Sequence, residues 1–175
     1  MKKKLIFLSF LLLGGCGYTT YLVSTSLGEG KIYVKPVVNE VRITAEDRAY
    51  SDYNVYPILL DKDLTNAIID ELQIRTPLKV VNSPDDAYTL ECKIVNYKKE
   101  ALRYTDSDEV NEQRLKLYVK VMVYDNEGNL IEENEVVGEA SYFFSGRLAS
   151  SESEALSELV EDTARKIVDA LFQDW

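Results

Sequence analysis

The side chains able to do chemistry are few, and their spacing is uneven. The thiol of Cys16 stands directly after Leu13-Gly14-Gly15, at the end of an apolar run that opens on Lys2, Lys3 and Lys4. A thiol there is a nucleophile presented behind two small residues, which let the backbone enter a narrow protease site. The second thiol, Cys92, lies in an alternating apolar pattern and reads as a small core residue. Histidine is absent. That removes Ser-His-Asp triads, Cys-His pairs and histidine-rich zinc sites together. Catalysis would have to rest on carboxylates, lysine or tyrosine. Glu132 and Glu133 are adjacent in an extended stretch, where neighbours face opposite ways and make a poor acid/base pair. Asp125-Asn126-Glu127-Gly128 is no calcium loop: its glycine comes too early, and Val136 stands where the closing glutamate belongs. We read the chain as a non-enzyme.

Residues 1–15 have the three parts of a secretory signal: a basic start, a short apolar core and small residues before a cut. The run from Leu5 to Leu13 is too short to span a bilayer, which needs ~20 residues. Leu13-Gly14-Gly15-Cys16 resembles the lipobox of bacterial lipoproteins. The resemblance implies that the leader is cut before Cys16 and that the thiol carries diacylglycerol. It also implies an acyl chain such as palmitate on the new amine. Several chains at ~0.8 kcal/mol per buried CH2 hold a protein on a membrane durably. Gly17, where an Asp would signal inner-membrane retention in enteric lipoproteins, implies the outer membrane. No other cofactor is expected. Cys92 is then alone, without a disulfide partner.

The leader holds three of the 20 basic residues and none of the 30 acidic ones, so residues 16–175 carry a net charge of −13. Such a surface argues against nucleic-acid binding, which needs basic patches. An anionic ligand would need a local basic spot or a divalent cation.

Residues 16–30 read as a lipidated tether and residues 31–175 as one domain. Residues 31–39 predict a strand, placed at an edge or bulged at Pro36, because proline cannot donate to a ladder. Residues 40–56 form a long polar loop with Tyr50, Tyr53 and Tyr56. Residues 57–74 predict a helix, with Leu60, Leu64, Ala67, Ile68 and Leu72 on one stripe. A brief strand at 78–81 follows. Three longer strands then cover 87–104, 113–124 and 130–144. In 113–124, Leu115, Leu117, Val119, Val121 and Val123 alternate with Lys116, Tyr118, Lys120, Met122 and Tyr124. Residues 151–172 predict a helix opened by a Ser151/Glu154 capping box, with Glu161–Arg165 and Asp162–Lys166 pairs on its wet face. The order predicts a two-layer α+β sandwich. Its sheet is mostly antiparallel and four-stranded, or five-stranded if 78–81 joins, with both amphipathic helices on one face. The other face shows Lys, Tyr and Met, which suits a partner or an amphipathic ligand.

The chain resembles the LptE family of outer-membrane lipoproteins along nearly its whole mature length. The matching pieces are Cys16-Gly17-Tyr18, Ile32-Tyr33-Val34 with Asn39, and Leu64-Thr65-Asn66-Ala67-Ile68 with Glu71-Leu72. Ala87 with Leu90 and Tyr97, then Arg114-Leu115 with Val119, Val121 and Asp125, continue the pattern. Ala155-Leu156 through Ala164, Ile167-Val168 and Trp175 complete it. The resemblance implies a plug and assembly factor inside a large LptD-like β-barrel, with lipopolysaccharide as a possible direct ligand. An adaptor lipoprotein of another envelope secretion or polymer-assembly complex is the competing reading. Lys98, Lys99 and Arg103 are the densest basic group outside the leader, and Arg147 follows Gly146. They are candidates for contact with lipid phosphates or acidic sugars. The alternative is a solvated strand end balanced by Glu100 and Asp106. Asp106, Asp108, Glu109 and Glu112 read as a wet hairpin tip. Trp175 reads as tail packing.

Overall fold

The computed structural model describes residues 30–41 and 56–172. Cys16 with its leader and tether, Tyr50 and Tyr53, and Trp175 lie outside the described residues.

The alternation at 113–124 builds the centre of the sheet. Leu115, Leu117, Val119, Val121 and Val123 are all at most 2% exposed and sit on β5 (Val110–Tyr124). β5 pairs antiparallel with the preceding strand, β4 (Tyr88–Tyr104). It pairs the same way with the following strand, β6 (Leu130–Phe143). The β5–β6 turn is held by Asp125, whose Oδ1 accepts from the N–H of Glu127 (2.9 Å) and of Asn129 (2.8 Å). Gly128 takes φ +86° there, a conformation that costs glycine little.

The first strand is interrupted at Pro36 and is not an edge. It is split into β1 (Lys31–Val34) and β2 (Val38–Asn39), both parallel to β4. Pro36 causes the split, since it has no N–H for the ladder. Lys35 N–H still reaches Leu90 O at 2.9 Å and Glu40 N–H reaches Ile94 O at 2.9 Å. Between them Val37 N–H donates to Thr65 Oγ1 at 3.0 Å. β3 (Lys79–Val81) pairs parallel with β1, because the intervening helix returns the chain to the same end. The sheet order is β3-β1-β4-β5-β6, with β2 beside β4. The sheet is six-stranded and mixed. Its long ladders are antiparallel, and its edges are β3 and β6 rather than the first strand.

The two helices are α1 (Leu60–Arg75) and α2 (Glu152–Ala170). Leu60, Leu64, Ile68 and Leu72 of α1 join Leu159, Ala164, Ile167 and Val168 of α2 in one apolar cluster with the inner sheet face. The expected capping box is present on α2: Glu154 N–H donates to Ser151 Oγ and Ser151 N–H to Glu154 Oε2. Asp162 pairs with Lys166 at 2.8 Å as expected. Arg165 turns to Asp162 at 2.7 Å instead of Glu161, so one carboxylate serves two cations.

α2 lies very close to β6. A Cβ on Gly138 would overlap the Thr163 side chain and come within 3.0 Å of its Cα. Thr163 cannot yield, being fully buried with its hydroxyl donating to Leu159 O at 2.6 Å. Gly138→Ala is therefore expected to cost about 1–3 kcal/mol by overpacking, read as a lower denaturant midpoint; an unchanged midpoint would show that the layers can separate freely. Asp162 gives a pH prediction. Burial pushes its carboxyl up, but Lys166, the Glu139 N–H and Arg165 together hold it below the ordinary range. The unfolded chain titrates it near ~3.9. A lowered native pKa contributes stability that is complete above that value and is lost as pH falls through the native one. Urea titrations should show stability declining below about pH 4, and Asp162→Asn should flatten that decline.

Candidate functional site

Both helices cover one face of the sheet, and among the described residues no element covers the other. On this open face the ladder sets Lys98 opposite Lys116 and Lys93 opposite Lys120. Like charges directly opposite destabilise a sheet. Flanking carboxylates relieve the conflict. Lys116 Nζ reaches Glu100 at 3.0 Å and Glu139 at 3.8 Å. Lys120 meets Glu133 at 2.8 Å, and Lys93 meets Glu40 at 2.9 Å. Lys35 meets Glu91 at 2.6 Å, and Arg114 lies 3.8 Å from Glu139. The hydrogen bond to Glu100 is the main reason that the Lys116 pKa is raised. Exposed pairs of this kind are worth ~1 kcal/mol at most, so the grid determines charge placement more than stability.

The predicted basic cluster is divided by the sheet. A bulge between Ile94 and Asn96 changes which side chains of β4 face inward. Before it Leu90, Cys92 and Ile94 are buried; after it Tyr97 is. Lys99 therefore points to the helix layer, where its side chain is 10% exposed and its Nζ lies 2.5 Å from Glu152 at the start of α2. The Tyr142 hydroxyl donates to Gln113 Oε1 at 2.6 Å and also lies 3.4 Å from Glu152. Burial, then the charge of Glu152, pushes that phenol up to about 12. Lys98 lies on the open face with Nζ 5.5 Å from the Tyr118 ring centre. Among the described residues, no carboxylate neutralises it. Arg103 is on the open face too, with Nε 2.8 Å from Glu112 and its guanidinium over Phe143 at 5.9 Å. Arg147 is exposed in the β6–α2 connection and has no ion pair among the described residues.

Arg114 and Lys116 share the open face with Lys98 and were not singled out beforehand. Their signal was the alternation of β5. What was hidden was the bulge that decides which β4 lysine joins them. The open face can hold anionic groups through Lys98, with Arg103 and Arg114 reachable by exchange of their carboxylates.

The helix layer has the opposite character. A groove of about 580 Å³ between α1 and α2 is lined by Asp63, Asp70, Glu71 and Glu161 around Ala67, Leu156 and Val160, with no basic side chain. An anion is repelled there. The edge-on pair of Tyr56 and Tyr97, with ring centres 6.3 Å apart, closes the core near Pro57. Burial and neighbouring Glu91 push the Cys92 thiol up to about 12, which leaves it unreactive. Among the described residues no cluster of three His, Cys, Asp or Glu could hold a metal ion, and no helix is long and apolar enough to cross a membrane.

A family model described as LptE, lipopolysaccharide-assembly, matches residues 35–171. The chain belongs to the LptE family. The match runs from the residue after β1 through α2, so it takes in both layers. Two of the similar solved structures, one from Chlamydia trachomatis and one from Acinetobacter baumannii, agree on the fold. The hypothetical protein CT253 from Chlamydia trachomatis is 15% identical, with a TM-score of 0.54 over 81% of this chain and 95% of that one. A minor lipoprotein from Acinetobacter baumannii is 19% identical, with a TM-score of 0.50 over 82% and 92%. Rare lipoprotein B from Shewanella oneidensis is 16% identical, with a TM-score of 0.46 over 81% and 89%. No curated protein matches this chain.

Within this LptE-family domain the two adjacent lysines should separate by experiment. Lys99→Met leaves the half-exposed Glu152 without its cation and is expected to cost about 1 kcal/mol. Lys98→Ala should stay within about 0.5 kcal/mol. Urea denaturation of both variants checks this, and equal losses would contradict the division of the two faces.

Proposed function

We propose that this LptE-family chain is a lipid-anchored outer-membrane lipoprotein. In this reading it plugs a large LptD-like β-barrel that exports lipopolysaccharide, and it helps that barrel assemble. The family match over residues 35–171 carries the reading. The lipobox at Cys16 supplies the anchor, and the segment to residue 30 supplies reach. Fourteen residues extend no farther than about 50 Å, so the domain stays beside the membrane protein it enters.

The ligand reading follows from charge. The groove between the helices is walled by carboxylates, so phosphates or acidic sugars of lipopolysaccharide would have to meet the sheet. There Lys98 is free of carboxylates among the described residues, and aromatic rings of Tyr118 and Phe143 lie under Lys98 and Arg103. A ring beside a cation suits a ligand with both an anionic and an apolar part. Arg147 would add reach from the β6–α2 connection.

The test is to extract outer membranes in mild detergent, purify a C-terminally tagged copy and identify what accompanies it. A stoichiometric large β-barrel is expected. Recovery of the protein alone, or with a soluble periplasmic complex, sinks the plug reading. Cys16→Ser, run in parallel, should release the chain from the membrane and change its gel mobility; a variant that stays bound with unchanged mobility refutes the anchor.

A further inference from the structure

β6 is an edge strand of 14 residues. A long open edge offers unpaired N–H and C=O groups to any passing strand, and proteins cover or charge such edges. Here the cover is partial, and its position is informative. Lys166 Nζ of α2 donates to Val137 O at 3.0 Å. Asp162 Oδ2 accepts from Glu139 N–H at 2.9 Å. Farther along, Ser150 N–H donates to Phe143 O at 3.2 Å. Residues 137, 139 and 143 are all odd, as the antiparallel ladder requires of groups that point away from β5. By the same alternation the N–H and C=O of Glu133 and Glu135 point outward, as does the N–H of Val137. Among the described residues none of these receives a partner. The outward groups of β6 that receive a partner all lie from Val137 onward, where Ser141 still stays open, and among the described residues none before Val137 receives one.

The open part has a definite chemistry. No basic residue occurs in the sequence between Lys120 and Arg147. Glu132, Glu133 and Glu135 crowd the open segment, and Leu130 and Ile131 beside them are 49% and 48% exposed. Pairing with a second copy of this strand would set glutamate against glutamate, which disfavours it. An extended segment carrying lysine or arginine alternating with apolar residues fits instead. Its backbone would extend the sheet, its cations on one face would meet Glu133 and Glu135, and its apolar side chains would face the helix layer.

We propose that the first half of β6, residues 130–136, is a strand-docking edge for a basic, extended segment of another protein. This inference does not rest on the barrel reading. It would hold for any partner with such a segment.

The probe is a synthetic heptapeptide alternating valine and lysine, labelled with a fluorophore. Its controls are a valine–glutamate counterpart and a lysine version with alternate backbone amides N-methylated. Binding to the detergent-solubilised full chain is read by fluorescence anisotropy, and hydrogen exchange locates the protected amides. The lysine peptide should bind at least tenfold tighter than either control and slow exchange at Glu133 and Glu135. Glu135→Pro removes an outward N–H but no β5 hydrogen bond. It should keep the thermal midpoint within a few degrees and weaken the peptide at least tenfold. Equal affinity for the N-methylated peptide, or protection at the acidic groove between α1 and α2, would show attraction by charge alone and overturn the proposal. So would self-association of the chain that Glu135→Pro abolishes. If Glu135→Pro unfolds, Glu135→Lys with the glutamate peptide decides: the preference should reverse, and an unreversed preference refutes the edge.

Discussion

The burial of one face of β5 is the constraint on which the rest of this molecule depends. Its five inner side chains are essentially inaccessible. At roughly 1.5–3 kcal/mol for each buried aliphatic side chain, they represent on the order of 10 kcal/mol before entropy is set against them. That is comparable with the whole net stability of a typical domain. A slip of one residue would turn Lys116, Tyr118 and Lys120 into the core. The register of β4 and β6 on either side is therefore closely defined, and the opposite face is obliged to be the one that carries charge.

The second layer is attached through β6. Gly138 lets α2 approach until Thr163 touches the strand, and Asp162 and Lys166 bind the backbone that the strand leaves open. One contact thus packs a core, satisfies polar groups and shields part of an edge. At the other end of the layer, Lys99 reaches from β4 to the first turn of α2. The helix is held from two strands, which leaves it little freedom to roll.

Charge separates the two surfaces. The groove side of the helices is acidic, whereas the sheet face pairs cations with carboxylates across strands. An overall charge that looks unfavourable for any anionic ligand therefore conceals a face close to neutral. For a chain of the LptE family, this makes the sheet the surface to question about lipopolysaccharide and the helix groove and β6 edge the surfaces to question about protein.

Much of the fold was legible because it is written in local periodicity. The stripe Leu60, Leu64, Ile68 and Leu72 makes α1, the Ser151/Glu154 box starts α2, and the alternation around Leu117 makes β5. The presence of two layers and the residues facing the core followed directly. What the amino-acid order did not show were the relations between distant strands. Pro36 left an edge and a break in the strand both open, yet β1 lies inside the sheet and is interrupted, because the helix that follows carries the chain to a further strand on its outer side. Lys98 and Lys99 looked like one basic patch, yet neighbours on a strand face opposite ways, and a bulge near Val95 decides which of the two joins the open face. Periodicity is a property of a few neighbouring residues and determines which elements form; strand order, bulges and edges arise from pairing across tens of residues, and only the assembled sheet decides them.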